Sequence, residues 1–544
     1  MSPPRLLVIV LAASLAIVAS ARTRGARAGT QSGVTVRTEQ WPVLGLEVNE
    51  LVLENGFRIV LVEDYRIQRV AASLWYRTGA LQESLGEHGE THFLEHVIHQ
   101  GTTTIGVRNG RLDRALLEEI HETELALIAE RNAQRNMVRE RGIFFDEAEW
   151  PTSAKMDSLR RRLYELEDEQ SKNRIFWEEY NWYRRWGGLM RHTDPVPANT
   201  GNELLRIEVD LPKSNLELFF RLEADRMVNA VLRGFEAQRF TVYEQFLNLN
   251  RPETGRFSEA FNGVMAVVHP IYLHPGGHAR DHAWWDRVST LRIYDDYIVP
   301  NNATLALVGA ISVGEVGALA AKYFGRLPRA PEPPARMDVE AEPPPGGSVR
   351  LDWLEPLFPQ VTVRYRIPGV GHPDRPAFDV IAQLLSGPDG LLASPLTSRR
   401  TGAVSWGANA SRTGSPARLS LQARAGRDED LAGVEAALLE AVEPLRRGVV
   451  DEARLGRARR RLRLDWERVH SQRGNLASTI GDFSVADEWR TLRSFYEQRE
   501  AVTVEEIRRV ADRYLVPWNR AIATTRRNPT PRAEANLTRV PEDR

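Results

Sequence analysis

The alternation of apolar and polar residues after residue 45 predicts several β-strands followed by a buried helix. Two apolar runs are separated by Asn55-Gly56, a pair typical of a tight turn, and a third run extends from Val70 to Tyr76. A polar, glycine-containing loop over 81–90 leads to the segment THFLEHVIHQGT, whose spacing predicts a helix. The first folded region therefore begins with strands, a loop and a buried helix.

A charged stretch over about 107–188 interrupts this pattern. Its leucines and isoleucines recur at helical spacing on either side of Pro151, which predicts two long helices in an antiparallel hairpin. Such an insertion is either a solvated spacer or packs back, through its aromatic end FWEEYNWYRRW, on the body or on a partner.

The remaining pattern predicts two copies of one α+β module. The first ends with a buried strand from Thr304 to Val308 and a helix that stops at Phe324-Gly325, before a Pro-rich linker over 329–347. Strand-like QVTVRYRI, helical PAFDVIAQLL and a final RAIATT then repeat the earlier order of elements. We predict homologous modules over 45–328 and 348–527, each a mostly antiparallel sheet packed with helices, and a tail over 528–544.

The N-terminus and the composition limit the class of protein. Residues 1–21 combine Arg5, an apolar run and small residues near Ala21, a pattern typical of a cleaved signal peptide, and we expect a flexible leader over 22–44. This favours a periplasmic or secreted protein with no membrane span in the mature chain; an uncleaved anchor is the alternative. The net charge of −1 argues against nucleic acid, and a chain without cysteine must bind any zinc through His and carboxylates.

The segment HFLEH is the candidate chemical site. On a helix, His92 and His96 lie one turn apart on the same side, with Glu95 beside them, so they are either a metal-binding pair or satisfied core histidines. A second histidine-rich stretch, whose glycines argue against a continuous helix, is interpreted as loop or wall; it contains His269, His274, His278 and His282.

The segments GALQESLGEHGETHFLEHVIHQGT, LPKSNLELFFRLEADRMVN, GRFSEAF and VPNNATLALVGAISVGEVGALAAKYFGRLP resemble the insulinase/pitrilysin-type zinc metallopeptidases, whose H-x-x-E-H motif reverses the commoner zinc motif. The resemblance covers about residues 46–527 apart from the insertion. It implies that His92 and His96 bind Zn²⁺ and that Glu95 takes a proton from zinc-bound water. It also implies that a substrate strand binds beside ANTGNELLRIEV, with Asn199 and Thr200 nearest to it.

The sequence departs from this family at the third zinc ligand. The family's glutamate falls on Gln245 and its supporting glutamate on Gln238, and the nearest carboxylate is Glu244, about 100° around the helix. We predict Glu244 as the third ligand through a local slip of the helix. In the second module, PDGLLASP replaces an Arg and Tyr pair that helps to hold substrate in the family.

Two functions are compatible with these residues. The first is a zinc-dependent endopeptidase that hydrolyses peptides or unfolded segments. The alternative is a weakly active or inactive partner subunit of an active family member. Either function allows a homodimer or a heterodimer with a related chain.

Overall fold

The computed structural model describes residues 27–526 except 32, 43, 85, 141–151, 176–179, 191–197, 250–254, 264–274, 278, 283, 333–348, 355–357, 388, 399–400 and 412–416. The chain forms two α+β modules, each built on one sheet, which confirms the predicted fold class.

The first module contains a sheet of nine described strands and ten described helices. Its strands are β1 Arg27–Gln31, β2 Val34–Trp41, β3 Leu46–Leu53, β4 Arg58–Glu63, β5 Arg69–Tyr76, β6 Leu189–Met190, β7 Ala198–Thr200, β8 Leu205–Pro212 and β9 Ala303–Gly309. Its helices are α1 Glu90–Ile98, α2 Gly110–Glu140, α3 Ala154–Lys172, α4 Tyr180–Arg185, α5 Leu216–Asn229, α6 Phe235–Leu249, α7 Gly255–Gly263, α8 Ala279–His282, α9 Arg287–Tyr297 and α10 Val313–Tyr323.

The second module contains a sheet of five described strands and eight described helices. Its strands are β10 Val349–Leu354, β11 Gln360–Ile367, β12 Ala403–Ala410, β13 Ala417–Ala425 and β14 Arg520–Arg526. Its helices are α11 Arg375–Leu385, α12 Ala393–Ser398, α13 Leu431–Glu440, α14 Glu443–Arg446, α15 Glu452–His470, α16 Arg473–Ala486, α17 Thr491–Ala501 and α18 Val504–Tyr514.

The two sheets share one connectivity. In the first, β4 runs parallel to β9, β9 pairs antiparallel with β5, and β5 pairs antiparallel with β8. In the second, β10 runs parallel to β14, β14 pairs antiparallel with β11, and β11 pairs antiparallel with β13. This correspondence agrees with the prediction of one module present twice.

At the interface, each module packs one of its helices on the sheet of the other, an arrangement called here the exchange of α7 and α16. Helix α16 of the second module packs on β5 and β9 of the first sheet, where Ile480 and Phe483 join a buried cluster with Val60 and Val308. Helix α7 of the first module packs on the second sheet, where Phe261 is buried against Ala521 and Ala523. Each sheet is therefore covered on one face by a helix from the other module.

The insertion forms the predicted antiparallel hairpin, and it is anchored to the body. Leu116 and Ile120 of α2 pack against Leu163 and Leu166 of α3. At its base, the Asp113 carboxylate forms a buried ion pair with Arg233, with 2.6 Å between Oδ2 and Nη2. The two helices of the hairpin therefore pack on each other, and their base is anchored to the body of the first module.

The prediction of a flexible leader over 22–44 is wrong for the part that the structure describes. Residues 34–41 form β2, which pairs with β3 along its length, and residues 27–31 form β1. The buried Trp41 ring stacks on Trp489, with 5.4 Å between centroids, which fixes the end of β2. Residues 1–26 and most of the predicted linker lie outside the described residues. Among the described helices, none is long and apolar enough to cross a membrane.

Candidate metal centre

The helix α1 is held at its N-terminus by a buried carboxylate. Glu83 accepts hydrogen bonds from the backbone N–H groups of Gly89 and Thr91, both over 2.8 Å, and burial raises the pKa of Glu83 to about 7. Gly89 has φ +90°, and a Cβ atom there would lie 2.6 Å from the Cα of Gly277. Only glycine satisfies both the left-handed backbone and this close approach.

His92 and His96 lie side by side on one face of α1, as the sequence predicts. Their rings meet edge to face, with 5.0 Å between centroids, and both side chains are half-buried. Nδ1 of His96 lies 3.2 Å from Oε1 of Gln238 on α6. An amide oxygen at that position requires the hydrogen on Nδ1 and leaves the lone pair on Nε2, the nitrogen that a metal would bind.

Glu95 is buried between this helix and the sheet, with 5% of its surface exposed. Its Oε2 accepts a hydrogen bond from Oγ1 of Thr200 over 2.7 Å. Thr200 ends β7, a short strand that pairs with β8 and contacts α1. The structure therefore brings Thr200, predicted as a substrate-binding residue, into direct contact with the predicted catalytic carboxylate, whereas Asn199 is exposed on the same strand.

Among the residues that the structure describes, no third acidic ligand joins the histidine pair. On α6, Glu244 is exposed and Gln245 is half-buried. Within the described ranges, no group of three His, Cys, Asp or Glu side chains could hold a metal ion. The two imidazoles fit two nitrogen ligands of zinc, and Glu244 as the third ligand stays a prediction.

A buried histidine that the sequence analysis did not single out supports the same helix. Nδ1 of His99 lies 2.7 Å from the carbonyl oxygen of Glu95, one turn earlier. Burial, followed by the nearby positive charge of Arg226, lowers the pKa of His99 well below its usual value, so the ring is neutral. His99 therefore belongs to the packing of α1, and only its proximity to HFLEH could have indicated a role.

One residue of the histidine-rich stretch that the structure describes, His282, is buried and packs against neighbouring elements. Nε2 of His282 lies 2.7 Å from the carbonyl oxygen of Gly276, and its ring contacts Phe246 and Trp285 at centroid distances of 5.0 and 4.2 Å. This agrees with the interpretation as wall. His269, His274 and His278 lie outside the described residues.

Comparison with known proteins supports one family. The family model described as "Peptidase M16 inactive domain" matches residues 289–462, from the end of the first module into α15. The "Zinc protease PqqE" of Helicobacter pylori is 21% identical over 344 residues, which are 61% of this chain and 74% of that protein. The "Uncharacterized zinc protease YmxG" of Bacillus subtilis is 36% identical over 61 residues, 11% of this chain and 15% of that protein.

Solved structures share the fold. A protease from Helicobacter pylori superposes with a TM-score of 0.67 at 18% identity, covering 88% of this chain and 99% of that chain. The periplasmic protease PqqL from Escherichia coli gives a TM-score of 0.63 at 17% identity, covering 88% of this chain but 47% of PqqL. The first half of PqqL, solved separately, is covered over 92% of its length with a TM-score of 0.62.

The sequence matches and the shared two-module fold agree with the resemblance carried by the motif around His92. Residues 289–462 match the M16 family model, and the chain as a whole is similar in sequence and fold to peptidases of the insulinase/pitrilysin type.

Proposed function

We propose that this protein is a zinc-dependent endopeptidase that hydrolyses peptides or unfolded segments. The observation that carries the proposal is the position of Glu95, a buried carboxylate next to the paired imidazoles that accepts a hydrogen bond from the strand β7. A carboxylate beside a metal-binding pair is the arrangement that general-base hydrolysis requires.

The side chains have separate roles in this proposal. His92 and His96 would hold zinc, and α6 would supply the third ligand, either Glu244 or the amide oxygen of Gln245. Bound zinc would lower the pKa of a water molecule to about 7 and polarise the substrate carbonyl. Glu95 accepts the proton of the attacking water, and Thr200 holds one oxygen of that carboxylate in place.

The substrate would bind as an extended strand. Strand β7 pairs with β8 through Ala198–Ile207 and Thr200–Leu205, so its second edge faces away from the sheet in the described part of the chain. A peptide added along that edge would place its backbone near Glu95 because Thr200 belongs to both features. Asn199, exposed on β7, would contact the bound peptide.

The signal-like sequence over 1–21 supports export to the periplasm or beyond the cell. The similar PqqL is itself described as a periplasmic protease. We infer the same compartment for this chain.

A second candidate function is that of a partner subunit with little or no activity. The chain spans about half of PqqL and superposes on its separately solved first half, so a second copy or a related chain could complete a larger assembly. The neutral Gln238 and Gln245, at positions where the family has acids, favour this alternative.

The decisive experiment compares wild type with Glu95→Gln for zinc content and for cleavage of an unstructured peptide. We expect both proteins to hold one zinc and Glu95→Gln to lose cleavage by about 10²–10⁴-fold. Glu118→Gln, an exposed acid of the insertion, is the matched control and should change neither property. A wild type that holds no zinc and cleaves nothing alone would instead support the partner function.

A further inference from the structure

The face of the second sheet that receives α7 carries several arginines. On β11, Val363 and Tyr365 point into the core of the second module, so Arg364 and Arg366 lie on the opposite face. Arg418 of β13 is directly opposite Arg366 and diagonal to Arg364 in the strand register. Like charges at these spacings repel one another, so the arrangement calls for a compensating group.

One neutral side chain is shared between two of these cations. Oδ1 of Asn262, on α7, accepts a hydrogen bond from Nη1 of Arg364 over 2.8 Å and from Nη1 of Arg418 over 3.2 Å. The Arg364 guanidinium also lies 4.2 Å from the centre of the Phe261 ring. Its buried Nε–H has no hydrogen-bond partner among the described residues.

Both guanidinium groups bear an electrostatic penalty. Burial, and secondly the charge of Arg418, lowers the pKa of Arg364 to about 9, and burial lowers the pKa of Arg418. No carboxylate in the described part of the chain offsets either shift. A buried cation without an anion is unfavourable, and the amide oxygen and aromatic ring supply only partial negative charge.

We infer that Arg364 and Arg418 form a binding site for one carboxylate group of a bound polypeptide, either an acidic side chain or a C-terminus. A carboxylate matches the planar donor pattern of guanidinium groups and would give the orphaned Nε–H an acceptor. The neighbouring aromatic side chains suit an apolar residue next to that carboxylate, since Phe257 contacts Phe261 and Trp353 at centroid distances of 5.8 and 6.1 Å.

The choice of a polypeptide as the source of the carboxylate rests on the proposed function. Inorganic phosphate is also an anion that guanidinium groups bind, so its binding is tested in a separate experiment. The site lies on the second module and Glu95 on the first, so a substrate bound at both would span the two modules.

The binding experiment uses the full chain with Glu95→Gln, so that no cleavage interferes. Two labelled, unstructured peptides that differ only by Asp or Asn are compared by fluorescence anisotropy. We expect the Asp peptide to bind about tenfold more tightly, a difference of about 1.4 kcal/mol. Arg364→Gln and Arg418→Gln should each remove this preference, whereas Arg447→Gln, an exposed arginine with 74% of its side chain accessible, should keep it.

The two proposals fail differently in this design. A preference of the Glu95→Gln chain for the Asp peptide, together with a wild type that holds zinc and never cleaves, would support the anion site and refute the peptidase. Equal affinity for both peptides, or a preference unchanged in both arginine variants, would overturn the anion site regardless of activity. Competition by phosphate without any preference for Asp would also overturn the assignment to a polypeptide carboxylate.

A stability measurement on Asn262→Asp tests the site without any peptide. This substitution places a carboxylate at the shared acceptor, so we expect a higher Tm and the loss of the Asp preference. Inorganic phosphate should raise the Tm of wild type and leave that of Asn262→Asp unchanged. An unchanged or lower Tm for Asn262→Asp would show that the arginines need no anion.

Discussion

The hydroxyl group of Thr200 donates a hydrogen bond to the carboxylate of Glu95 over 2.7 Å, and both residues are buried. This contact joins the edge strand β7 to the predicted general base on α1. A peptide that pairs with β7 would therefore be positioned by the same residue that orients the base.

We predict that Thr200→Val lowers kcat about tenfold or more with little change in KM, because it removes the donor while keeping the side-chain volume. Thr200→Ser, which keeps the hydroxyl, should restore most of the activity. Steady-state kinetics on one peptide measure both parameters. A loss that Thr200→Ser does not restore would indicate a packing role instead.

Zinc stoichiometry at matched free zinc distinguishes the candidates for the third ligand. If the Glu244 carboxylate binds the metal, Glu244→Ala should lose zinc while Gln245→Ala retains it. A carboxylate is the stronger ligand, so we expect this order. The reverse order would assign the amide of Gln245, and unchanged zinc in both variants would exclude a ligand from this turn of α6.

The contact between Gly481 and Trp75 makes the interface of the modules sensitive to one added carbon. A Cβ atom at Gly481 would lie 2.0 Å from Nε1 of Trp75. Gly481→Ala should therefore push α16 from the first sheet and cost about 1–3 kcal/mol or more. Gly474→Ala is the control on the same helix, where nothing lies within 4 Å, and it should be neutral or slightly stabilising in thermal unfolding.

The ion pair between Asp113 and Arg233 should matter far more than exposed pairs of the insertion. Arg233 also donates to the carbonyl of Thr102 over 2.7 Å, so the pair connects the insertion to the turn after α1. Asp113→Ala should cost about 3–5 kcal/mol because it leaves a buried charge. Glu119→Ala, whose partner Arg162 is half exposed, should change the free energy of unfolding little in denaturant unfolding, because solvent screens the pair.

A buried acid in the same region should make stability depend on pH. Burial is the main cause that raises the pKa of Glu124 from 4.5 to about 8. The positive charge of Arg287 acts in the opposite direction and lowers this pKa. Below pH 4.5 the group is protonated whether the chain is folded or unfolded, so it contributes nothing. Between pH 4.5 and 8 only the unfolded chain loses the proton, and stability falls as the pH rises.

Glu124→Gln should remove this loss of stability at high pH, because the amide has no proton to release. We expect its Tm to exceed that of wild type by about 2–4 °C at about pH 9 and to equal it at about pH 4.5. Glu118→Gln, on the exposed face of the same helix, should follow wild type at both pH values. A pH-independent difference would mean that the side chain acts through packing and not through its charge.

Local patterns predicted most strands and the histidine helix because neighbouring residues determine them. Asn55-Gly56 forms the turn between β3 and β4, and the apolar runs on either side became strands. The segment VTVRTEQW forms β2 and is not part of a flexible leader, and its alternation of apolar and polar residues, with Val34 and Trp41 buried, is the local pattern of a strand.

The contacts that complete the site could not be predicted from spacing. Thr200 and Glu95 are brought together by the packing of α1 on β7, and no local pattern indicates the hydroxyl as a partner. Gln238 occupies the position of the family's supporting glutamate, and its contact with His96 could not be predicted from spacing alone. The position of Arg364 beside Asn262 depends on the exchange of α7 between modules.

That exchange of α7 and α16 has a consequence for how the protein is made. The first sheet is complete only when β9 ends at Gly309, and the helix that covers its outer face begins at Arg473, so that face stays uncovered while residues 310–472 are synthesised. An incomplete chain would present that apolar surface to other chains and aggregate. Maturation of the first module is thus a late event, timed by the arrival of the C-terminal helices.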